Sequence, residues 1–275
     1  MAEQVLLRRM TLLNYAQTGE VRDGGLYIHE AGTDGYNGRL TASSTLEPGP
    51  DGVAELTMAI HGEDLILNLG DQSDEYKNGL PAFNVDVELE AAGLNLRDAA
   101  SALNGDIRIH STGGQVKNIQ SESASTLFLS EVISAISPSS ANQETINISC
   151  FAAIIDVRDG EVLLDPGIAL QSDKLNVFAS GKVDLASEKL DVNFRTETRK
   201  AVALSASELV SPYVKLTGTL AEPSIALDPA GTLLSGGAAF LSGGLSILAK
   251  KALDQIGGNE DPCAKYLAAG EEEEE

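Results

Sequence analysis

Apolar and polar residues alternate along much of the chain, most regularly between residues 174 and 227. Successive side chains of a β-strand point to opposite faces of the sheet. The alternation therefore predicts four or five short strands that share one apolar face and one polar face. Phe178 is the one apolar residue on the polar side of the first run. The predicted apolar face comprises Leu175, Val177, Ala179, Gly181, Val183, Leu185, Leu190, Val192, Phe194, Val214, Leu216, Gly218, Leu220, Ile225 and Leu227.

Shorter alternating runs precede this stretch. Strands that follow one another about every 8–12 residues, with turns between them, are typical of an all-β meander. The pattern lacks the helical crossovers that a parallel α/β sheet would need. Apolar residues alternate most clearly at Phe83, Val85, Val87 and Leu89, and again at Leu103, Ile107 and Ile109. Further strands are predicted at 3–15, 25–29, 36–47, 53–62 and 64–69, and an exposed loop at 71–79.

Two segments break the alternating pattern. Residues 122–136 have apolar residues near helical spacing and predict a short helix. Residues 230–256 form a Gly-rich amphipathic segment that ends in two lysines. Its uncharged part reaches the lower limit of a membrane span, so two interpretations remain, a helix packed on the sheet and a segment in contact with a membrane. Its apolar stripe includes Leu233, Phe240, Leu241, Leu245 and Leu248.

Composition narrows the range of partners. The chain has 275 residues, enough for one large or two modest domains, and a formal net charge of −22. That acidity argues against nucleic acid and against attraction to an anionic membrane surface. Only 4% of the residues are aromatic and none is Trp, which suits a thin, elongated sheet better than a thick globular core.

The sequence carries no catalytic or metal-binding signature. The motifs of zinc proteases, α/β-hydrolases, P-loop proteins and dinucleotide-binding proteins are absent. An acidic cluster near residue 71 lacks the ligand spacing of a calcium loop. We therefore expect neither an enzyme, nor a cofactor, nor a bound metal. The histidines are His29, His61 and His110, and the acidic cluster consists of Asp71, Asp74 and Glu75.

The two cysteines allow one intramolecular pairing. Cys150 lies in a predicted strand and Cys263 lies beyond the long Gly-rich segment. An exported compartment would permit a disulfide between them, and the alternative is a buried apolar Cys150 with a free thiol at Cys263. The first residues do not form a secretory signal peptide. Two interpretations follow, a cytoplasmic protein and a fragment of a longer exported one, and the start in the middle of a strand pattern favours the fragment.

Three stretches carry a family resemblance. They are INISCFAAIIDVRDGEVLLDP at 146–166, IALQSDKLNVFASGKVDLASEKLDVNF at 168–194, and SELVSPYVKLTGTLAEPSIALDP at 207–229, followed by a DPC tail. Over residues 103–267 the chain resembles the C-terminal region of the AsmA family of Gram-negative envelope proteins, which is related to the TamB and YhdP groups. The resemblance implies a periplasmic body and, in the full-length protein, an N-terminal inner-membrane anchor.

The resemblance also implies a fold. It is mainly β, an elongated curved antiparallel sheet whose apolar concave face forms a groove, as in bridge-like lipid-transfer proteins. The expected organisation is a β-groove segment at 1–120, a short helix and linker at 121–140, an AsmA-like β segment at 141–228, a Gly-rich amphipathic helix at 229–257 and an acidic tail at 258–275. We expect the helix at 229–257 to cap the C-terminal end of the groove.

The predicted function is non-enzymatic binding and conveyance of phospholipids between inner and outer membranes. A one-sided apolar sheet with few helices to cover it exposes a binding surface, and acyl chains need apolar area without directional polar partners. Two alternatives remain, a scaffold that assists outer-membrane protein assembly through its strand edges and a closed β structural module. The predicted groove residues are Phe83, Val85, Val87, Leu89, Ile107, Ile109, Val177, Val192, Phe194, Val214 and Leu216.

Overall fold

The computed structural model describes residues 2–7, 10–35, 38–66, 79–117, 145–173, 175–199, 213–227 and 261–272. Within these ranges, strands dominate and join edge to edge into one antiparallel sheet. The strands are β1 (Ala2–Leu7), β2 (Met10–Arg22), β3 (Gly25–Gly35), β4 (Gly38–Pro48), β5 (Ala54–Ile66), β6 (Ala82–Gly93), β7 (Asn104–Ser111), β8 (Gly114–Lys117), β9 (Thr145–Arg158), β10 (Glu161–Ser172), β11 (Leu175–Asp184), β12 (Lys189–Thr198), β13 (Tyr213–Gly218) and β14 (Pro223–Leu227).

The sheet is a meander. Nearly every strand pairs with the one before it and the one after it, so the order across the sheet follows the order along the chain. The exception is β9, which pairs with β7 over one half of its length and with β8 over the other. The described strands all belong to this open, curved sheet. The predicted fold class is thus confirmed, and the strands within the described ranges do not form two sheets packed face to face.

Bulges bend several strands of the sheet. One interrupts the pairing of β5 with β6 between Gly62 and Leu65, where Asp64 has a φ of 51°. Another lies in β10 between Leu164 and Ile168 and disturbs the pairing with both neighbouring strands. An extra residue in one strand bends that strand and increases its twist, so these bulges explain part of the curvature.

A short helix, α1 (Leu96–Ser101), lies at the end of the sheet where β6 turns into β7. The side chain of Asn95 caps it by accepting hydrogen bonds from the backbone N–H groups of Arg97 and Asp98. The Arg97 guanidinium lies 3.5 Å from Glu188, in the turn between β11 and β12. In a flat sheet β11 and β12 would be about 19 Å and 24 Å from β6, at ~4.8 Å per strand. The contact therefore shows that the sheet curves at this end.

A second helix, α2 (Pro262–Glu272), packs against β9 and β10. A disulfide joins Cys263 in its first turn to Cys150 in β9, with the two Cα atoms 6.2 Å apart. The disulfide thus links residues 113 positions apart in sequence. Residues 258–275 were expected to form an acidic tail. That expectation misses α2, whose apolar side chains pack on the sheet.

Several strands begin or end at residues other than those predicted from the sequence. The predicted strand at 3–15 spans two strands, β1 and β2, and the strand predicted at 25–29 continues to Gly35. Part of the strand predicted at 64–69 continues β5 beyond its bulge. The helices predicted at 122–136 and 230–256 lie outside the described residues, as does most of the loop predicted at 71–79.

Candidate functional site

The pairing register places every predicted groove residue on one face of the sheet. Directly paired residues of neighbouring antiparallel strands lie on the same face. On β6 and β7 the pairs are Val85 with Ile109 and Val87 with Ile107, while Leu89 faces Gly105. Further along, Val192 pairs with Leu216 and Phe194 with Val214. We call this side of the sheet the apolar face.

The strands between these two groups continue the apolar face without interruption. Ile109 pairs with Ala153 on β9, Ala153 with Ile168 on β10, and Ile168 with Ala179 on β11. Ala179 in turn pairs with Phe194 on β12. A neighbouring row contains Phe83 and Phe151, whose rings meet edge to face at 5.8 Å between centroids, and ends at Val177. The apolar face thus runs from β6 to β13.

Exposure changes along the apolar face. On β12 and β13 the residues Val192, Val214 and Leu216 are 2–6% exposed and form part of a packed apolar cluster. On β6 and β7 the predicted groove residues, Val87 among them, are half-buried. The same face is more open on β3 to β5, where Leu26 is 43% exposed. An accessible apolar surface therefore exists on the N-terminal strands, whereas the apolar side chains of the C-terminal strands pack against one another.

A glycine of the apolar face has a backbone conformation that residues with a side chain rarely adopt. Gly181 on β11 lies between Leu164 and Val192 and has a φ of 134°. A Cβ atom there would collide with the carbonyl oxygen of Asp191. Only glycine adopts this conformation without strain, so the apolar cluster of β10 to β13 depends on the absence of a side chain at this position.

The opposite face, the polar face, carries charged and hydroxyl side chains on the N-terminal strands. His61 on β5 pairs with Asp86 on β6, and their side chains lie 2.5 Å apart. Glu63 approaches the other ring nitrogen of His61 at 3.4 Å. Asn84 on β6 contacts His110 on β7. These groups stabilise one another on a solvated surface, and no described residue among them completes a metal-binding cluster with the histidines.

The two carboxylates raise the pKa of His61, with Asp86 the larger cause and Glu63 the second. A histidine with a raised pKa stabilises the fold below its unfolded pKa, and this stabilisation is lost as the pH rises through the folded pKa. We expect Asp86→Asn to bring the NMR titration midpoint of His61 back toward its ordinary value. An unchanged midpoint would contradict the assigned pairing.

Helix α2 covers part of the polar face of β9 to β11. The rings of Tyr266 and Phe178 stack with their centroids 5.9 Å apart, beside Ala152 and Ala169. The Arg195 guanidinium lies 5.1 Å from the centre of the Phe178 ring. Phe178, the single exception in the alternating pattern, is thus the residue that receives α2. The first turn of the helix is capped by Asp261, whose carboxylate accepts from the N–H of Cys263 and lies 3.2 Å from the Cys150 sulfur.

The hydroxyl of Tyr266 is buried and has no hydrogen-bond partner among the described residues. Burial raises the pKa of Tyr266, partly opposed by Arg195. An unsatisfied buried hydroxyl costs free energy, so Tyr266→Phe should leave the free energy of unfolding unchanged or raise it by about 1 kcal/mol. Tyr266→Ala should lower it by about 3–5 kcal/mol, as for other large buried aromatics. Urea denaturation of both variants measures the difference, and a loss of stability in Tyr266→Phe would reveal a partner for the hydroxyl.

Comparisons with family models, with curated proteins and with solved structures give no match for this chain. The resemblance to the AsmA family therefore stays a prediction. Among the described residues, neither helix has the length and apolar character needed to cross a bilayer. The predicted capping residues Leu233, Phe240, Leu241, Leu245 and Leu248 lie outside the described part of the chain.

The sequence did not identify two features of the site. One is the open part of the apolar face on β2 to β5, where the alternation is weaker and serines interrupt it. The other is α1, whose signal was Asn95 followed by Asp98, a pattern typical of helix starts. Outside the site, the packing of α2 on the polar face was not identified either, and its signal was Phe178, the apolar exception in the alternation.

Proposed function

We propose that the protein binds the acyl chains of phospholipids along its apolar face and conveys them between the membranes of a Gram-negative envelope. The observation that carries this proposal is an apolar face that is continuous over many paired strands and only half-buried on β6 and β7. Helix α2 packs on the polar face and not on this surface. Acyl chains match it because they need apolar contact and no hydrogen bonds.

The resemblance to the AsmA family supports the same proposal. A member of that family would be a non-enzymatic protein with a periplasmic body and an inner-membrane anchor elsewhere in the full-length chain. The disulfide between Cys150 and Cys263 agrees with an exported location, because such bonds persist in oxidising compartments.

The substitution Val87→Asp tests the proposal. Val87 is half-buried at the centre of β6, so an aspartate there can stay hydrated in the absence of lipid and the fold should survive. In the presence of lipid the carboxylate would be buried against acyl chains, which is costly for an unpaired charge. We expect phospholipid recovered per mole of purified protein, measured by mass spectrometry, to fall by about tenfold or more.

A matched control lies three residues away on the same strand. Asn84→Asp adds the same charge on the polar face, next to His110. This variant should retain its lipid. Equal lipid content in wild type, Val87→Asp and Asn84→Asp would contradict the proposal, and so would wild-type protein that carries no phospholipid.

The open ends of the sheet favour one alternative, a scaffold for outer-membrane protein assembly. In the described part of the chain the strand order ends at β1 and β14. An edge strand offers unpaired N–H and C=O groups to a client strand. Proline substitutions in β14 should then reduce client binding and leave the lipid content unchanged, which separates this function from lipid conveyance.

A further inference from the structure

Four large apolar residues form an exposed row across the N-terminal strands. Val21 pairs with Leu26, Leu26 with Leu46, and Leu46 with Leu56, so the row crosses β2 to β5. Their exposed fractions are 76%, 43%, 43% and 37%, in that order. We call this row the apolar rim. It continues the apolar face, because Leu56 pairs next with the buried Ala91 on β6.

The apolar rim lies at one end of the strands. Val21 and Leu26 flank the tight turn between β2 and β3, and Leu46 and Leu56 flank the connection from β4 to β5. The other large apolar residues that are exposed in the described chain lie at the same end, namely Leu94, Leu96 and Leu220. An exposed apolar patch of this kind marks an interaction surface.

The charges around the apolar rim are mainly acidic. Asp23 and Asp51 lie in the two turns beside the rim, and Glu47 and Glu55 face each other across β4 and β5 on the polar face, one residue from Leu46 and Leu56. Arg22 is paired with Glu20 at 3.3 Å. Acidic groups around the rim repel anionic lipids. They also oppose a symmetric dimer in which two rims face each other, because the carboxylates of the two copies would then lie close together. A partner surface without net charge is therefore the best match for the apolar rim.

We propose that the apolar rim docks the protein on a phospholipid bilayer of zwitterionic headgroups and thereby opens the apolar face to lipid. This deepens the proposed function and rests on it. The leucines insert at the boundary of the acyl region, and the carboxylates of the turns stay in water. Acyl chains then have a continuous apolar path from the rim to the half-buried apolar residues of β6.

Vesicle sedimentation tests the proposal. The variant carries Leu26→Ser, Leu46→Ser and Leu56→Ser in the full chain. The matched control alters the residues that pair on the polar face of the same strands, Tyr27→Ser, Thr45→Ser and Thr57→Ser. We expect binding to phosphatidylcholine vesicles to fall about tenfold or more in the rim variant, since binding scales with buried apolar area. The control should bind as wild type does. Circular dichroism and thermal unfolding verify that both variants fold.

Each other outcome overturns the proposal. Absent binding of wild type to phosphatidylcholine vesicles, or equal binding of wild type and the rim variant, means that the rim does not dock. Stronger binding to vesicles that contain an anionic phospholipid contradicts the zwitterionic preference. A wild-type dimer that the rim substitutions convert to a monomer, measured by light scattering, assigns the rim to a second copy. The lipid content of Val87→Asp is a separate readout, so lipid conveyance and bilayer docking fail independently.

Discussion

Replacing Cys150 and Cys263 with alanine is expected to lower the free energy of unfolding by about 4–5 kcal/mol, because the disulfide closes a loop of more than 100 residues. The bond restricts the unfolded chain, and it also holds α2 on the polar face, where Tyr266 stacks on Phe178. Urea denaturation followed by circular dichroism measures the change. The double variant should also lose protection of the α2 amides from hydrogen exchange.

The single variants serve as the control for this effect. Cys150→Ala and Cys263→Ala each break the same bond, so each should cost nearly as much as the double variant. Their effects should therefore be strongly non-additive. Small and additive losses would show that the two cysteines act only as buried apolar side chains. Non-reducing electrophoresis offers an independent check, since the oxidised chain should migrate faster than the reduced one.

The faces of the strands could be predicted because the alternation of apolar and polar residues does not depend on exact strand boundaries. A strand assigned too short still assigns its remaining side chains to the correct face, as the alternation from Phe83 to Leu89 within the longer β6 demonstrates. The register between strands then follows from the need to keep apolar residues together. For this reason Val85, Ile107 and Phe194 were predicted to share a face before any pairing was known, and they share it.

The bulges and helices were harder to predict because they depend on contacts distant in sequence. The alternation near Asp64 does not indicate an extra residue. The bulge there places Leu65 on the apolar face, whereas strict alternation would place it on the polar face. Helix α2 follows a long segment with no strand pattern, and its short sequence carries only a weak apolar stripe. It is held by Cys263 and Tyr266, whose partners are more than 80 residues upstream.

The common face of the candidate groove residues was predicted from the sequence, but their exposure was not. Val87 and Val192 have the same alternation and lie on the same face, so the sequence predicts the same role for both. Val192 is buried in the cluster with Leu164 and Leu216, whereas Val87 is half-buried, and the alternation does not specify this difference. The same substitution should therefore have different results at the two positions.

Val192→Asp is expected to lower the free energy of unfolding by roughly 3–5 kcal/mol, the range for an uncompensated buried charge. Val192 is 5% exposed and its surroundings on the apolar face are apolar side chains. Burial raises the pKa of such an aspartate, and the neutral form is cheaper to bury. A group with a raised folded pKa destabilises the fold above that pKa, so the loss should shrink as the pH falls. Urea denaturation at neutral and acidic pH measures both effects.

The comparison of Val192→Asp with Val87→Asp distinguishes a packed cluster from an open surface on one continuous face. Val192→Ala gives the cost of the lost methyl groups alone, about 1–3 kcal/mol for a buried valine, and the excess in Val192→Asp is the cost of the charge. Val87→Asp should unfold nearly as wild type does. Equal and large losses of stability at both positions would show that β6 is closed core, and the lipid surface would then have to lie on β3 to β5. Equal and small losses would show that lipid can reach β12, because a hydrated aspartate at Val192 requires an opening in the cluster around Leu216.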